Sequence, residues 1–472
     1  MEYPMRIGGK PVKTANAIPV RLPYDGSAFA TVFEAAGEHV EAAIAAARDA
    51  APVMREMTLD ERSAILRKAH DRLLACKEEF AQIISSECGK PIREARVEVE
   101  RGAQTLLFSS AEALHLCGEV VPMEASPAGR GRWAMTLREP VGIIAAITPF
   151  NFPLNLSLHK IGPAIAGGNT VVHKPASATP VSAIRLAELL EECGLPPGAL
   201  NVVTGPGGRI GDHLVHHRDI SMITFTGSLE VGTRIRNQAG LKRVTLEMGS
   251  NSAVILDEDA VPEEAVPRCV TGSYAHSGQV CISVQRIFAH ERVRERFLES
   301  FIENARKLKI GHPHDPETDI SSLITEGEAE RVESWIGEAV GAGARLVKGG
   351  ERRRATLEPV VLADVPPETK VFSREVFGPV VAVNSFRDLD EAIEAVNRSE
   401  YGLQAGIYTR DLKKAFYAAR RVHVGGFLIN DVPQYRVDQM PYGGVKGSGI
   451  GREGPKYALE EMTERKLVCW KP

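Results

Sequence analysis

The absences in this sequence narrow its class first. No apolar run in its 472 residues approaches the roughly 20 positions that a membrane-spanning helix requires, and Met1-Glu2-Tyr3-Pro4-Met5-Arg6 has no apolar secretory core. Excess positive charge is missing too. The 57 Lys and Arg stand against 61 Asp and Glu, a formal net charge of -4, whereas a nucleic-acid surface needs a basic patch or stripe. The 7 cysteines, an odd number scattered from Cys76 to Cys469, make no disulfide framework. A reducing compartment fits them, and a cytoplasmic location is expected. The 13 histidines include His216-His217 and the pair His312 and His314, with no carboxylate-supported cluster at ligand spacing, so no metal centre is expected. There is no internal repeat and no low-complexity tract. What is present, 43% hydrophobic and 25% charged residues, is the balance of a globular chain, divided into roughly two or three domains at about 150 residues each.

Residues 1–36 alternate short apolar runs with the turn formers Gly8-Gly9-Lys10-Pro11 and Tyr24-Asp25-Gly26, and read as short strands. Helical periodicity follows over His39–Met54, from the Thr58 N-cap to about Cys76, over Glu78–Glu87 and over Ile92–Leu116. Residues 118–140 break that pattern. Two strand-like pieces, Glu119–Pro122 and Arg132–Leu137, flank a Gly-rich turn. A strand pair is marginal alone, and this one is expected to project toward a partner subunit.

From Val141 strands and helices alternate. Strands are expected at Val141–Ile147, Asn169–Lys174, Leu200–Thr204, Ser221–Phe225 and Arg243–Met248, with helices between them. Repeats of this kind build a parallel, doubly wound α/β sheet, and its ligands bind beyond the carboxyl ends of the strands. Those ends carry Thr148-Pro149-Phe150-Asn151, Lys174-Pro175-Ala176-Ser177, Thr204-Gly205-Pro206-Gly207-Gly208, Thr226-Gly227-Ser228 and Glu247-Met248-Gly249. No G-x-G-x-x-G follows any of them. One such turn would be only a tight turn. Two adjacent Gly-rich ends and a lysine at a third point to a phosphate-bearing ligand near helix N-termini. A second α/β pattern begins after about 250, with a closing strand at Lys466–Trp470.

Six cysteines have ordinary neighbours, and Cys281 does not. It follows Ser277-Gly278-Gln279-Val280, after a helix expected from Glu263 to Tyr274, and precedes a strand-like run, Ile282–Ile287. A thiol at such a junction can sit at the mouth of a cleft, where its thiolate is the reactive form. The residues alone favour the plainer reading, a buried structural cysteine.

Taken together, the motifs resemble the aldehyde dehydrogenase superfamily. They are Pro149-Phe150-Asn151-Phe152-Pro153, Lys174-Pro175-Ala176, Phe225-Thr226-Gly227-Ser228 with Gly232, and Leu246-Glu247-Met248-Gly249. In the same family order follow Gly278-Gln279-Val280-Cys281, Glu375-Val376-Phe377-Gly378-Pro379, Tyr401-Gly402-Leu403 and Pro441-Tyr442-Gly443-Gly444. The resemblance implies a Rossmann-like cofactor domain over 1–117 and 141–248, an α/β catalytic domain over 249–447, and a small β oligomerisation flap from 118–140 and 456–472. It implies a homodimer or homotetramer, an aldehyde substrate, NAD or NADP as cofactor, and no nucleic-acid or membrane partner. Cys281 would be the nucleophile, the Asn151 amide and the Cys281 N–H the oxyanion donors, and Glu247 the base for deacylation. The plainer alternative for Glu247 is a carboxylate paired with Lys242 or Arg243.

By the same resemblance the cofactor would touch Thr148, Pro149, Phe150, Lys174, Ser177, Gly207, Gly211, Phe225, Gly227, Ser228, Gly232, Met248, Gly249, Glu375 and Phe377. Lys174 would meet the adenosine ribose, Gly227 and Ser228 the pyrophosphate, and Glu375 the nicotinamide ribose. Two positions depart from the family pattern. Ser177 stands where NAD-preferring members often carry Glu, which permits NADP, and Gly249-Ser250-Asn251 stands where Gly-Gly-Lys is common. His159, Arg436 and Tyr442 are the expected substrate contacts. They favour a small polar or anionic aldehyde, in the style of lactaldehyde and phosphonoacetaldehyde dehydrogenase-like members, although His159 and Arg436 could equally make structural hydrogen bonds. The rival readings are a CoA-acylating semialdehyde dehydrogenase, whose members generally lack the Glu247 equivalent, and a catalytically silent relative, which would have lost Cys281, Asn151 or Glu247.

Overall fold

The computed structural model describes every residue from Met1 to Pro472. Its largest sheet has eight strands. In spatial order they are Gly449–Ile450, Arg243–Met248, Ile220–Gly227, Ile143–Ile147, Thr170–Lys174, Leu200–Val202, Met5–Ile7 and Lys10–Val12. The five central strands are parallel, and those added at either edge are antiparallel. Ile143–Ile147 and Thr170–Lys174 are buried throughout, as strands covered on both faces must be. Alternation sorts their side chains. Ile144, Ala146 and Val171 pack with the helices Leu59–Ala75, Ile92–Leu114, Asn155–Ala166 and Val181–Glu192, whereas Ile143, Ala145, Ile147 and Val172 pack with Gly37–Glu56. The chain order reverses between Ile143–Ile147 and Ile220–Gly227, and such a switch point opens a crevice at the strand ends.

A second sheet has seven strands, ordered Arg345–Lys348, Val360–Ala363, Val380–Phe386, Arg286–His290, Ala253–Leu256, Gln404–Tyr408 and Gly426–Ile429. All neighbours pair in parallel except Arg345–Lys348 at its edge. The segment after Ile429 returns to the first sheet, where Gly449–Ile450 pairs with Leu246 and Glu247.

Local signals account for much of the helical boundary set. Thr58 caps its helix by accepting from the Glu61 N–H, and Glu61 bonds back to the Thr58 N–H, a reciprocal cap. The strand expected at Ile282–Ile287 starts later, at Arg286. The reason is tertiary: Ser283 N–H bonds the Val280 carbonyl and Val284 N–H reaches back to Gly272, so residues 281–284 turn. The C-terminal strand Thr463–Trp470 pairs directly with Trp133–Pro140, and Val120–Val121 lies on the far side. This three-stranded sheet leaves Val120, Trp133, Met135, Leu137, Leu467 and Trp470 exposed. No helix is long and apolar enough to cross a membrane.

Candidate active site

Cys281 is delivered by a strained approach. His276 and Ser277 adopt φ of 48° and 55°, and Gly278 follows at 75°. These left-handed conformations disfavour side chains, and at Gly278 a Cβ would lie 2.1 Å from the Gly378 carbonyl. The scaffold holds the loop in place. Glu94 accepts from the His276 N–H at 2.8 Å, Ser277 Oγ donates to Ser321 O at 3.0 Å, and Gln279 Oε1 accepts from the Ile324 N–H at 2.9 Å. The thiol emerges half-buried. The Cys281 N–H makes no backbone hydrogen bond.

Asn151, at the end of Ile143–Ile147, donates through Nδ2 to the Gln279 carbonyl at 2.9 Å, while its Oδ1 has no partner. Its amide is thereby fixed two residues from Cys281. Glu247 ends the edge strand of the parallel set. It is 2% exposed and neither carboxylate oxygen has a hydrogen-bond partner. Arg243 instead pairs with Glu464 at 2.7 Å, which removes the paired-carboxylate alternative. Burial, aided by the charge of Glu453, pushes the Glu247 carboxyl well above its ordinary range. Behind it, Lys160 Nζ donates to Glu453 Oε1 and Thr226 Oγ1, both at 2.8 Å, and Arg436 reaches Glu453 Oε2 at 3.1 Å. Burial works against the Glu453 charge, but Lys160 and Arg436 outweigh it and hold that carboxyl at about 2.

Cys281, Asn151 and Glu247 share one cleft of about 250 Å³ with Pro149, Phe150, Gly227, Ser228, Met248, Gly249, Glu375, Phe377 and Tyr442. Twelve of the sequence-derived site residues thus line a single cavity. A second hollow, of about 200 Å³, is lined by Lys174, Gly207, Gly211 and Phe225 beside Val231 and Ile235. The two hollows share the carboxyl edge of one sheet. Their residues fit a dinucleotide: apolar walls and a lysine at one end, glycines between, and a carboxylate at the other. At Gly249 a Cβ would lie 2.1 Å from Glu375 Oε2, so glycine is what lets that carboxylate lean over the cleft. Burial raises Glu375 to about 7 and lowers Lys174 to about 8.

The remaining predicted residues line neither hollow. Thr148 Oγ1 bonds His173 Nε2 at 3.0 Å, Gly232 packs on Met248, and Ser177 is exposed beside the second hollow with Oγ donating to Gly205 O at 2.9 Å. His159 is buried and bonded to Asp438 Oδ1 at 2.9 Å; that carboxylate also takes Asn155 at 3.0 Å and both arms of Arg101. Burial and the Arg436 charge lower the His159 pKa. The Gly249-Ser250-Asn251 departure from the family pattern makes structural hydrogen bonds. Ser250 N–H bonds Glu375 Oε1 at 3.0 Å, and the Asn251 side chain joins Phe372 O to Ser399 Oγ.

Sequence reasoning missed Arg101, Asp438 and Glu453, and put Lys160 on the helix expected to line the substrate site without naming its partner. One signal was available for the last. Every residue of Asn155–Ala166 is buried, and a lysine in such a helix needs an acidic partner.

A thiol, an amide and an unpaired carboxyl around one cleft, on a sheet that can hold a dinucleotide, are the groups that an oxidoreductase working through a covalent sulfur intermediate would need. The sequence model of the Aldehyde dehydrogenase family matches residues 11–468, and the chain belongs to that family. It is an NAD(P)-dependent aldehyde dehydrogenase. A 3-sulfolactaldehyde dehydrogenase of Priestia aryabhattai is 48% identical over 467 residues, 99% of this chain and 98% of the relative. A lactaldehyde dehydrogenase of Methanococcus aeolicus is 40% identical, covering 96% of each. The NADP-dependent glyceraldehyde-3-phosphate dehydrogenase of Bacillus halodurans C-125, solved with NADP, superposes with a TM-score of 0.98 at 35% identity over 100% of this chain and 99% of that one.

Proposed function

We propose that the protein oxidises a small anionic aldehyde to its carboxylic acid by hydrolytic thioester chemistry. The observation that carries the hydrolytic reading is Glu247: a buried carboxyl in the Cys281 cleft with both oxygens unpartnered. A group desolvated at such cost and paired with nothing is a site for activating water. This disfavours the CoA-acylating reading, and retention of Cys281, Asn151 and Glu247 in one cleft disfavours a silent relative.

The Cys281 thiolate adds to the aldehyde carbon. The carbonyl electron pair moves to oxygen, where the Asn151 Nδ2–H and the Cys281 N–H receive it. The dinucleotide, when bound, supplies the hydride acceptor, with Lys174 at its adenosine end and Glu375 and Phe377 at its nicotinamide end. Glu247 then takes a proton from water as that water attacks the Cys281 thioester. The carbon–sulfur bond breaks, and the acid leaves.

The anionic preference rests on the relatives, named for aldehydes bearing a sulfonate, a hydroxyl or a phosphate, and on the wall behind Tyr442. There Arg436 keeps an unbonded Nε, and Arg101 lies 5.9 Å from the ring of Phe152, which packs, as Cys281 does, against the cluster of Val280, Ile282, Leu403 and Tyr442. Three-carbon aldehydes carrying sulfonate or phosphate are expected to exceed hexanal by about a hundredfold in kcat/KM. Preference for hexanal would refute this reading.

Ser177 leaves room for a 2′-phosphate. Ser177→Glu is expected to reduce kcat/KM with NADP by about tenfold or more, through like-charge repulsion near the ribose, and to change the NAD value little. Equal losses with both cofactors would show that position 177 does not meet the ribose. The exposed apolar residues of the three-stranded sheet favour a homodimer or homotetramer, with 118–140 and 456–472 as an oligomerisation flap turned toward a partner subunit, alongside a cofactor portion (1–117 and 141–248) and a catalytic portion (249–447). The unpaired cysteines fit a cytoplasmic enzyme.

A further inference from the structure

We propose that the Tyr442 hydroxyl is a catalytic hydrogen-bond donor to the Cys281 sulfur, supporting it as thiolate before attack and again as the thioester breaks. The inference rests on Cys281 being the nucleophile, and it gives Tyr442 a task separate from holding the substrate. Tyr442 Oη lies 2.8 Å from Cys281 Sγ, and that sulfur is its one hydrogen-bond partner in the protein. The residue is 2% exposed, so a hydroxyl aimed elsewhere would be a buried polar group without a partner. Its backbone is locked in place: Tyr442 N–H donates to the Glu453 carbonyl at 3.1 Å, and Glu453 N–H returns the bond at 2.6 Å. The Arg436 guanidinium lies 3.6 Å from the ring centroid and fixes the ring from its outer face.

Chemistry decides the direction of the bond. Phenolic O–H is a strong donor, and S–H is a weak one. Burial pushes the Tyr442 ionisation well above its ordinary value, so the phenol keeps its proton at working pH and donates. The sulfur is faced by Tyr442 and Arg436 from the Gly-rich loop, Glu247 from its strand end and Glu375 from across the cleft. Burial raises the thiol to about 11, and both carboxylates push the same way; Tyr442 and Arg436 are the groups that oppose them. Of these two, only Tyr442 touches the sulfur. Arg436 is engaged with Glu453.

In the forward step the carbon–sulfur bond forms as the sulfur pair is shared with the carbonyl carbon, and the hydrogen bond from Tyr442 weakens. In deacylation that bond breaks, the pair returns to sulfur, and the hydroxyl is in place to receive the charge. The phenol proton is shared in both steps and transferred in neither.

Tyr442→Phe removes this donor alone, because the hydroxyl has no other bond to lose and the ring remains beneath Arg436. The measurement is the pH dependence of Cys281 alkylation by iodoacetamide in the cofactor-free enzyme, followed by tandem mass spectrometry of the peptide carrying Cys281. It needs no aldehyde and no turnover. The expected result is an upward shift of about one pH unit in the apparent thiol pKa, with alkylation near pH 7.5 roughly tenfold slower and the melting temperature unchanged. Steady-state kcat is expected to fall while aldehyde KM stays within about twofold. An alkylation profile that superposes on the parent's, or one shifted downward, would overturn the inference. Loss of turnover in Cys281→Ser would still stand, so the two ideas fail separately.

Discussion

Cys281→Ser is expected to lower kcat for aldehyde oxidation by about a thousandfold or more, with cofactor affinity nearly unchanged. The substitution keeps the side-chain size and the backbone N–H, so the oxyanion donors and the cleft shape survive. What is lost is the ability to ionise. The sulfur, raised as it is to about 11, still yields a small fraction of a very strong nucleophile near neutrality, whereas a serine hydroxyl needs an adjacent base. None is in contact: the group bonded to Sγ is Tyr442, a donor, and the Glu247 oxygens have no hydrogen-bond partner at all. The second hollow, around Lys174, does not include residue 281, so cofactor titration should give nearly the parental Kd. No other cysteine can take over. Cys88, Cys193 and Cys269 are buried in the core, and Cys76, Cys117 and Cys469 lie outside the cleft. Parental turnover in Cys281→Ser, measured by appearance of reduced cofactor, would remove the nucleophile assignment altogether.

What the chain's own pattern made legible was the part whose cause is local. Ile143–Ile147 reads as a doubly covered strand because every residue in it is apolar, and Asn151 follows at its end because strand ends are where polar residues meet a ligand. Cys281 stood out from the other cysteines by its turn-forming approach, and the eight motifs in family order supplied its role. Contacts across the fold were not legible. His159, expected either to meet the substrate or to make a structural hydrogen bond, is bonded to Asp438, 279 positions away. Lys160 finds Glu453 across 293 positions, and Tyr442 finds Cys281 across 161. No spacing rule reaches so far. The register error after Cys281 has the same origin. Ile282–Ile287 has strand-like composition, but a hydrogen bond from Val284 to Gly272 bends its first residues into a turn before pairing with Ala253 begins at Arg286.

Glu247→Gln separates the two halves of the reaction. Acylation and hydride loss require the thiol and the oxyanion donors, which this substitution leaves alone. Deacylation requires a group that accepts a proton from water, and an amide cannot. A burst of about one reduced cofactor per site is therefore expected, followed by steady turnover slower by roughly a hundredfold to ten-thousandfold, the range of a lost general base. Protein mass spectrometry should show the acyl adduct on Cys281. The parental pH profile follows from the direction of the Glu247 shift. Burial first, and the Glu453 charge second, favour the neutral acid, so the competent carboxylate increases as pH rises, and parental kcat should climb with it. Glu247→Gln should flatten that climb. Stability should move the opposite way. A carboxyl whose folded pKa is raised contributes its full stability below the unfolded pKa, about 4.3, and loses it as pH rises toward the folded value. Glutamine does not titrate, so the variant should melt at a higher temperature than the parent at pH 7.5, and the difference should close as pH falls toward 4. A variant with no burst, a parental steady rate and parental melting at both pH values would show that Glu247 neither activates water nor is held neutral in the cleft.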